Sequence, residues 1–130
     1  MNMTRFAHDA LCSEDSDITG AVFTHGTNSL EETAFLMDAL VNCGKPVVGT
    51  GTMRPWTDFS YDGDANIFQV VALPANEDFQ HRGAMVAFND RILSEFWVTK
   101  LTPNDPDAFG STATGELGAF LNNMLYFNNT

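Results

Sequence analysis

The spacing of apolar and polar positions changes several times along the chain, and each change marks an element. Residues 5–12 set Phe6, Ala10 and Leu11 on one side of a short helix. The polar run SEDSD (13–17) separates it from AVFT (21–24), short, apolar and β-prone, which reads as a buried parallel strand. A helical period follows: Leu30, Ala34, Met37, Leu40 and Val41 recur at steps of three and four. Ser29 with Glu32 makes a capping box at its start; Gly44 supplies the stop and Pro46 bars continuation. KPVVG (45–49) opens a second strand, with proline among its first residues, where a missing donor is tolerated.

The stretch TGTMRPWTDFSYDGD (50–64) is a long polar loop. ANIFQVVALPA (65–75) has helical spacing through Ile67, Val70 and Val71 and ends near Pro74. GAMVAFND (83–90) is a third buried strand, and RILSEFWVTK continues from it. LTPNDPDAFGSTATGELG (101–118) reads as connector, and AFLNNMLYFNN (119–129) as a hairpin around Asn122 and Asn123. Strand, helix, strand, helix, strand predicts one α/β domain over residues 1–130, a parallel sheet flanked by helices on both faces. Ligands of such sheets sit beyond the carboxyl ends of the strands. THGTN (24–28) lies there.

Charge narrows the partners. Six basic residues against 17 acidic ones give a net charge of −11, the opposite of what a phosphate backbone attracts, so no nucleic-acid partner is expected. The acidity is spread along the chain as a solvated surface. No run reaches the roughly 18 apolar residues of a membrane span, and the N-terminus does not read as a secretion signal. A single disulfide between Cys12 and Cys43 is one arrangement that the sequence does not decide; a cytoplasmic, reducing compartment with free thiols is the resulting expectation. Neither cysteine has a partner at metal-site spacing, so zinc is not expected, and no cofactor is implied.

Individual side chains divide between structural and chemical roles. Ser29 and Glu32 read as caps, Arg54 and Pro55 as fixing the shape of their loop, Asp90 as capping a turn, and His25 as orienting the glycine turn. Thr27 and Lys100 stand evenly between satisfying the backbone or snorkelling on the surface and doing chemistry.

Several collinear blocks carry a resemblance. VFTHGTNSLEETAFLMDALVNCGKPVV is similar to the type II L-asparaginase pattern THGTDTxEETA followed by a KPVV strand. The likeness runs on through MRP, SYDGDANIF, RGAMVAFND, VTK, DAF and GELG, across residues 21–118, and NMT (2–4) resembles the family's DMT. The resemblance implies the central part of the family's N-terminal domain, truncated: the family's TGGTI strand, whose Thr is its first nucleophile, is not matched, nor is the C-terminal domain that completes a neighbouring subunit's site. It also implies a Thr–Lys–Asp set, matched by Thr27, Lys100 and, in place of the Asp, Asn28.

A Thr hydroxyl is a poor nucleophile until a base takes its proton, and a desolvated Lys can be that base. A neutral Asn28 cannot balance a substrate ammonium. Aromatics stand where the resembling family has small polar residues, so Trp56, Tyr61 and Trp97, together with His25 of the matched turn, are the expected substrate-binding residues. These departures predict lost amidohydrolase activity and a repurposed, non-hydrolytic enzyme. It would act by proton transfer in cyclisation, isomerisation or elimination of a partly apolar small molecule. The alternatives are a non-catalytic binding subunit and residual asparaginase or glutaminase activity. An unmatched strand leaves a sheet edge open, which predicts self-association closed by the added aromatics.

Overall fold

In the computed structural model of the chain, which describes residues 2–128, the first apolar stripe forms α1 (Met3–Cys12), and Asn2 caps it by accepting the Thr4 amide at 3.1 Å. β1 (Ala21–Thr24), α2 (Leu30–Leu40), β2 (Val47–Thr50) and α3 (Gly63–Ala72) follow. Then come β3 (Ala84–Phe88), β4 (Arg91–Ser94), β5 (Val98–Lys100), β6 (Phe109–Ser111), β7 (Gly118–Leu121) and β8 (Met124–Phe127). Among the described residues six strands make one sheet in the order β1-β2-β3-β4-β7-β8, and β5 pairs with β6 in a separate two-stranded sheet.

Strand alternation explains why helices are needed on both faces. Val47 on β2 and Ala84, Val86 and Phe88 on β3 meet Leu30, Ala34 and Met37 of α2 and Leu11 of α1. Their alternates Val48, Met85 and Ala87 meet Val70 of α3 together with Leu73 and Phe79. Every residue of β2 and β3 is therefore buried, as in central parallel strands generally. Gly49 lies opposite Phe23 in the β1–β2 register, and its bare backbone leaves room for the Phe23 ring. β1 is the end strand of the sheet, and Val22 on it is exposed.

The α/β sheet flanked by helices stands as expected, with one refinement. Only β1–β2 and β2–β3 pair in parallel; β3–β4, β4–β7 and β7–β8 are antiparallel, so the sheet is mixed. The reversal after β3 comes from Asn89 and Asp90, at φ 49° and 67°. Two successive left-handed residues are the tight hairpin turn that returns a strand antiparallel. A continuous reading of RILSEFWVTK overlooks both this turn and a second one at 95–97 that divides β4 from β5. The connector 101–118 likewise contains β6. The hairpin around Asn122 and Asn123 forms, both at positive φ; Asn129 lies outside the described residues.

Several local expectations need correction. Ser29 is the N-cap of α2 but makes no side-chain capping bond, because its ψ of 22° lies outside the extended region from which a Ser oxygen reaches the helix amides. α2 ends at Leu40, ahead of Gly44, and Leu40 is half exposed. On α3, Ile67 and Val71 face solvent while Asn66 and Gln69 are buried beside Val70. Hydrogen bonding accounts for this inversion. Asn66 donates to Gly51 O at 3.0 Å and accepts the Asn89 amide at 3.1 Å, tying the end of β2 to the β3–β4 turn. Gln69 binds Asp90 through both amide atoms. The buried face thus spends two positions on fixing the strand ends.

The expectation of free thiols is also overturned. Cys12, at the end of α1, and Cys43, after α2, form a disulfide with Cα atoms 5.6 Å apart. α1 packs on α2, which brings the two helix ends together within bridging reach. Among the described residues no helix is long and apolar enough to cross a membrane.

Candidate active site

At the carboxyl end of β1 the chain must turn from strand to helix within five residues. The His25 amide extends the β1–β2 pairing by donating to Thr50 O at 2.9 Å. Gly51 lies against this turn: a Cβ there would meet His25 O at 2.5 Å and the Thr27 methyl at 3.4 Å. Only a glycine lets the two strand ends approach so closely. Nδ1 of His25 lies 2.8 Å from Gly26 O, and a carbonyl can only accept, so Nδ1 carries the proton. Nε2 meets the Thr33 hydroxyl at 3.1 Å on the first turns of α2. His25 thereby pins the peptide ahead of Thr27 and acts as an orienting residue.

Thr27 and Asn28 stand at the N-terminal approach to α2. Lys100 comes from β5, 73 residues away. Its Nζ is 2.8 Å from Thr27 Oγ1 and donates to Asn28 Oδ1 at 3.1 Å. Its backbone amide donates to Glu31 at 2.6 Å. The three residues Thr27, Asn28 and Lys100 therefore do meet. Chemically, the 2.8 Å contact serves in either direction. A charged lysine donates to the hydroxyl; a neutral one accepts the hydroxyl proton and frees the oxygen for attack.

Two clefts flank this cluster. Asn28, Lys100 and Leu101 line one of about 300 Å³. His25, Thr24, Thr50, Thr52, Tyr61 and Ile67 border another of about 480 Å³, beyond the ends of β1 and β2. The structure thus brings His25 and Tyr61 into one cleft. Trp56 is 79% exposed on the 51–62 loop, and Trp97 stacks edge-on against Phe96, which in turn meets Phe35 of α2; neither tryptophan borders these clefts. Among the described residues no group of three His, Cys, Asp or Glu side chains is placed to hold a metal.

Asp62 organises the loop that walls the larger cleft. Its carboxylate accepts from the Met53 amide at 2.9 Å, the Arg54 amide at 3.0 Å and the Thr52 hydroxyl. Burial works against its charge, but these donors outweigh it and hold the carboxyl below its ordinary range. Arg54, expected to fix loop shape, does so by donating to Ser60 O at 2.9 Å. On the β4–β5 side, burial pushes the Glu95 carboxyl up; the Ser94 hydroxyl opposes this and the charge of Asp38 adds to it. Glu31, Thr33 and Asp62 were not singled out by sequence reasoning. Glu31 carried one usable signal, its place four residues after Thr27, in the first turn of α2.

Residues 2–130 match the family described as asparaginase, N-terminal. L-asparaginase 2-3 of Saccharomyces cerevisiae is 46% identical over 119 residues, 92% of this chain and 32% of that protein. L-asparaginase 2 of Escherichia coli is 41% identical over 117 residues, covering 89% and 34% respectively. The crystal structure of a probable cytoplasmic L-asparaginase from Campylobacter jejuni superposes with a TM-score of 0.87 at 41% identity, over 97% of this chain and 40% of that one. The chain spans about a third of the length of the curated relatives it matches.

These findings overturn the expected loss of amide hydrolysis and the expected non-hydrolytic enzyme. The relatives bear the name L-asparaginase at 38–46% identity, and nothing in them speaks for cyclisation, isomerisation or elimination. The physical reason lies at Asn28. A carboxamide is isosteric with a carboxylate and keeps one acceptor oxygen, and Lys100 donates to that oxygen. Losing the charge does not dismantle the Thr27–Lys100 contact.

Proposed function

This chain belongs to the asparaginase family, and on that premise we propose that it contributes the Thr27–Asn28–Lys100 part of a site that hydrolyses the side-chain amide of L-asparagine or L-glutamine. The observation that carries the reading is the 2.8 Å contact between Lys100 Nζ and Thr27 Oγ1. Lys100 takes the proton of the Thr27 hydroxyl as Oγ1 attacks the amide carbon and returns it to the leaving nitrogen as the C–N bond breaks and ammonia departs. Water then cleaves the resulting ester to the carboxylic acid and restores the hydroxyl. Asn28 holds the lysine through its carbonyl oxygen. The substrate is a small amide, with Tyr61 and Ile67 as apolar walls of the neighbouring cleft and His25 holding the turn; no nucleic-acid or membrane partner is proposed.

Ammonia release from asparagine and glutamine by the purified protein tests this. Release that disappears in Lys100→Ala and Thr27→Ala supports it. Absence of release above buffer sinks it.

For assembly, we keep self-association as part of the proposal, supported by the end-strand position of β1 and the exposed aromatics Trp56, Phe59 and Phe96. For the compartment, likeness to the probable cytoplasmic L-asparaginase of Campylobacter jejuni supports a cytoplasmic protein. The disulfide favours an oxidising compartment. Alkylation of freshly extracted protein, read by mass, decides between them.

A further inference from the structure

We propose that Glu31 is a positioning residue for Lys100: its carboxylate takes the outward amide of the strand that carries the lysine and so sets where Nζ meets Thr27. The catalytic part of this inference rests on the amide-hydrolysis reading; the geometric part does not.

The argument begins with the register of β5. Thr112 N donates to Trp97 O, and Leu101 N donates to Ala108 O at 2.7 Å. Backbone groups of an antiparallel strand point alternately to the partner and away from it. With 97 and 101 turned to β6, Lys100 faces its opposite number Phe109 in a pair without ladder bonds, and its amide points out of the two-stranded sheet. An outward amide on an end strand needs water or a side chain. Here it meets Glu31 Oε2 at 2.6 Å, a short charge-assisted bond across 69 residues of sequence.

Glu31 lies in the first turn of α2, the end of the helix whose dipole favours an anion. β5 and β6 form no ladder with the six-stranded sheet. Lys100 is consequently held from two sides. β6 aligns its strand from behind, and the segment 27–31 grips it from the front through Thr27 and Asn28 at the side chain and Glu31 at the backbone. Removing the Glu31 carboxylate leaves the strand held from behind by β6 only, and the front contacts then act solely at the end of a flexible four-carbon stem.

The chain has two lysines, so Lys45 serves as an internal reference for Lys100. Amide hydrogen exchange at Lys100 and Leu101, and acetic anhydride labelling of Lys100 relative to Lys45 over a pH series, are compared in wild type, Glu31→Ala and Glu31→Gln. In Glu31→Ala, Lys100 amide exchange should quicken by about tenfold, the equivalent of losing one charge-assisted bond, while Leu101 is unmoved. The Lys100 to Lys45 labelling ratio should change in step, with the neutral acceptor of Glu31→Gln falling between. Wild-type exchange and labelling in Glu31→Ala would overturn the proposal. Should Glu31→Ala not fold, Glu31→Gln decides alone: faster Lys100 exchange with steady Leu101 supports the clamp, and no change removes it. In the ammonia assay Glu31→Ala should lower kcat with KM held, and Glu31→Gln should restore part of it. A protein that releases no ammonia refutes amide hydrolysis and leaves exchange and labelling to judge the clamp.

Discussion

Lys100 Nζ lies 2.8 Å from Thr27 Oγ1, and the two residues belong to different sheets. Thr27 follows β1 of the six-stranded sheet; Lys100 ends β5 of the small one. Their contact is thus a property of how the two sheets pack through α2. Chemistry at this point depends on both surviving together.

Coupling between the pair is the first expectation. Thr27→Ala and Lys100→Met should each depress ammonia release by about a hundredfold or more, the usual worth of a positioned base. The double variant should cost little beyond either single one, because residues acting as a unit are not additive. Fully additive losses would show that the two act separately.

Acid stability should report Asp62. Its folded carboxyl lies below the ordinary value of 3.8, so the folded state binds its proton later than the unfolded state does. The stability it adds is complete above that ordinary value and is lost as pH falls through the folded one. Asp62→Asn should therefore lower stability at neutral pH and flatten its decline below about pH 4. Urea midpoints over an acid series give the comparison; parallel curves for both proteins would refute it.

Opening the bridge between Cys12 and Cys43 should loosen α1 more than the sheet. The cysteines are 31 residues apart, a loop for which chain entropy predicts roughly 3–4 kcal/mol. Cys12→Ser with Cys43→Ser should lower the thermal midpoint accordingly and speed amide exchange in α1 ahead of β3. A midpoint unaltered by the change would mean that packing of α1 on α2 suffices.

Self-association should appear in sedimentation at tens of micromolar. Among the described residues β1 is the end strand of the sheet, and Met3, Phe6, Ile18 and Val22 border an apolar groove of about 300 Å³ beside it. Val22→Lys should weaken association, since charge on an edge strand opposes strand pairing. Sedimentation as a monomer throughout would contradict the proposal.

Legibility in the sequence followed the range of the interactions. AVFT, KPVVG and AMVAF were readable as strands because their apolar runs and flanking turns are local. Asn122 and Asn123 were readable as a hairpin for the same reason. α3 was located but its faces were inverted, since Asn66 and Gln69 face inward only when Gly51, Asn89 and Asp90 are there to bind them. The reversal at Asn89 and Asp90 passed unread between two apolar runs that looked continuous. At the site, Thr27, Asn28 and Lys100 were found through resemblance, whereas Glu31 needed coordinates to show which way an amide on β5 points.

By itself, then, the order of residues determined where strands and helices form and how acidic the surface is, because propensity, period and charge act between near neighbours. Tertiary packing alone decided the pairing of β4 with β7, the joined cysteines and the lysine's seat on Thr27. Each of these depends on groups tens of residues apart arriving within bonding distance, and short directional forces can select partners only after burial has brought them together.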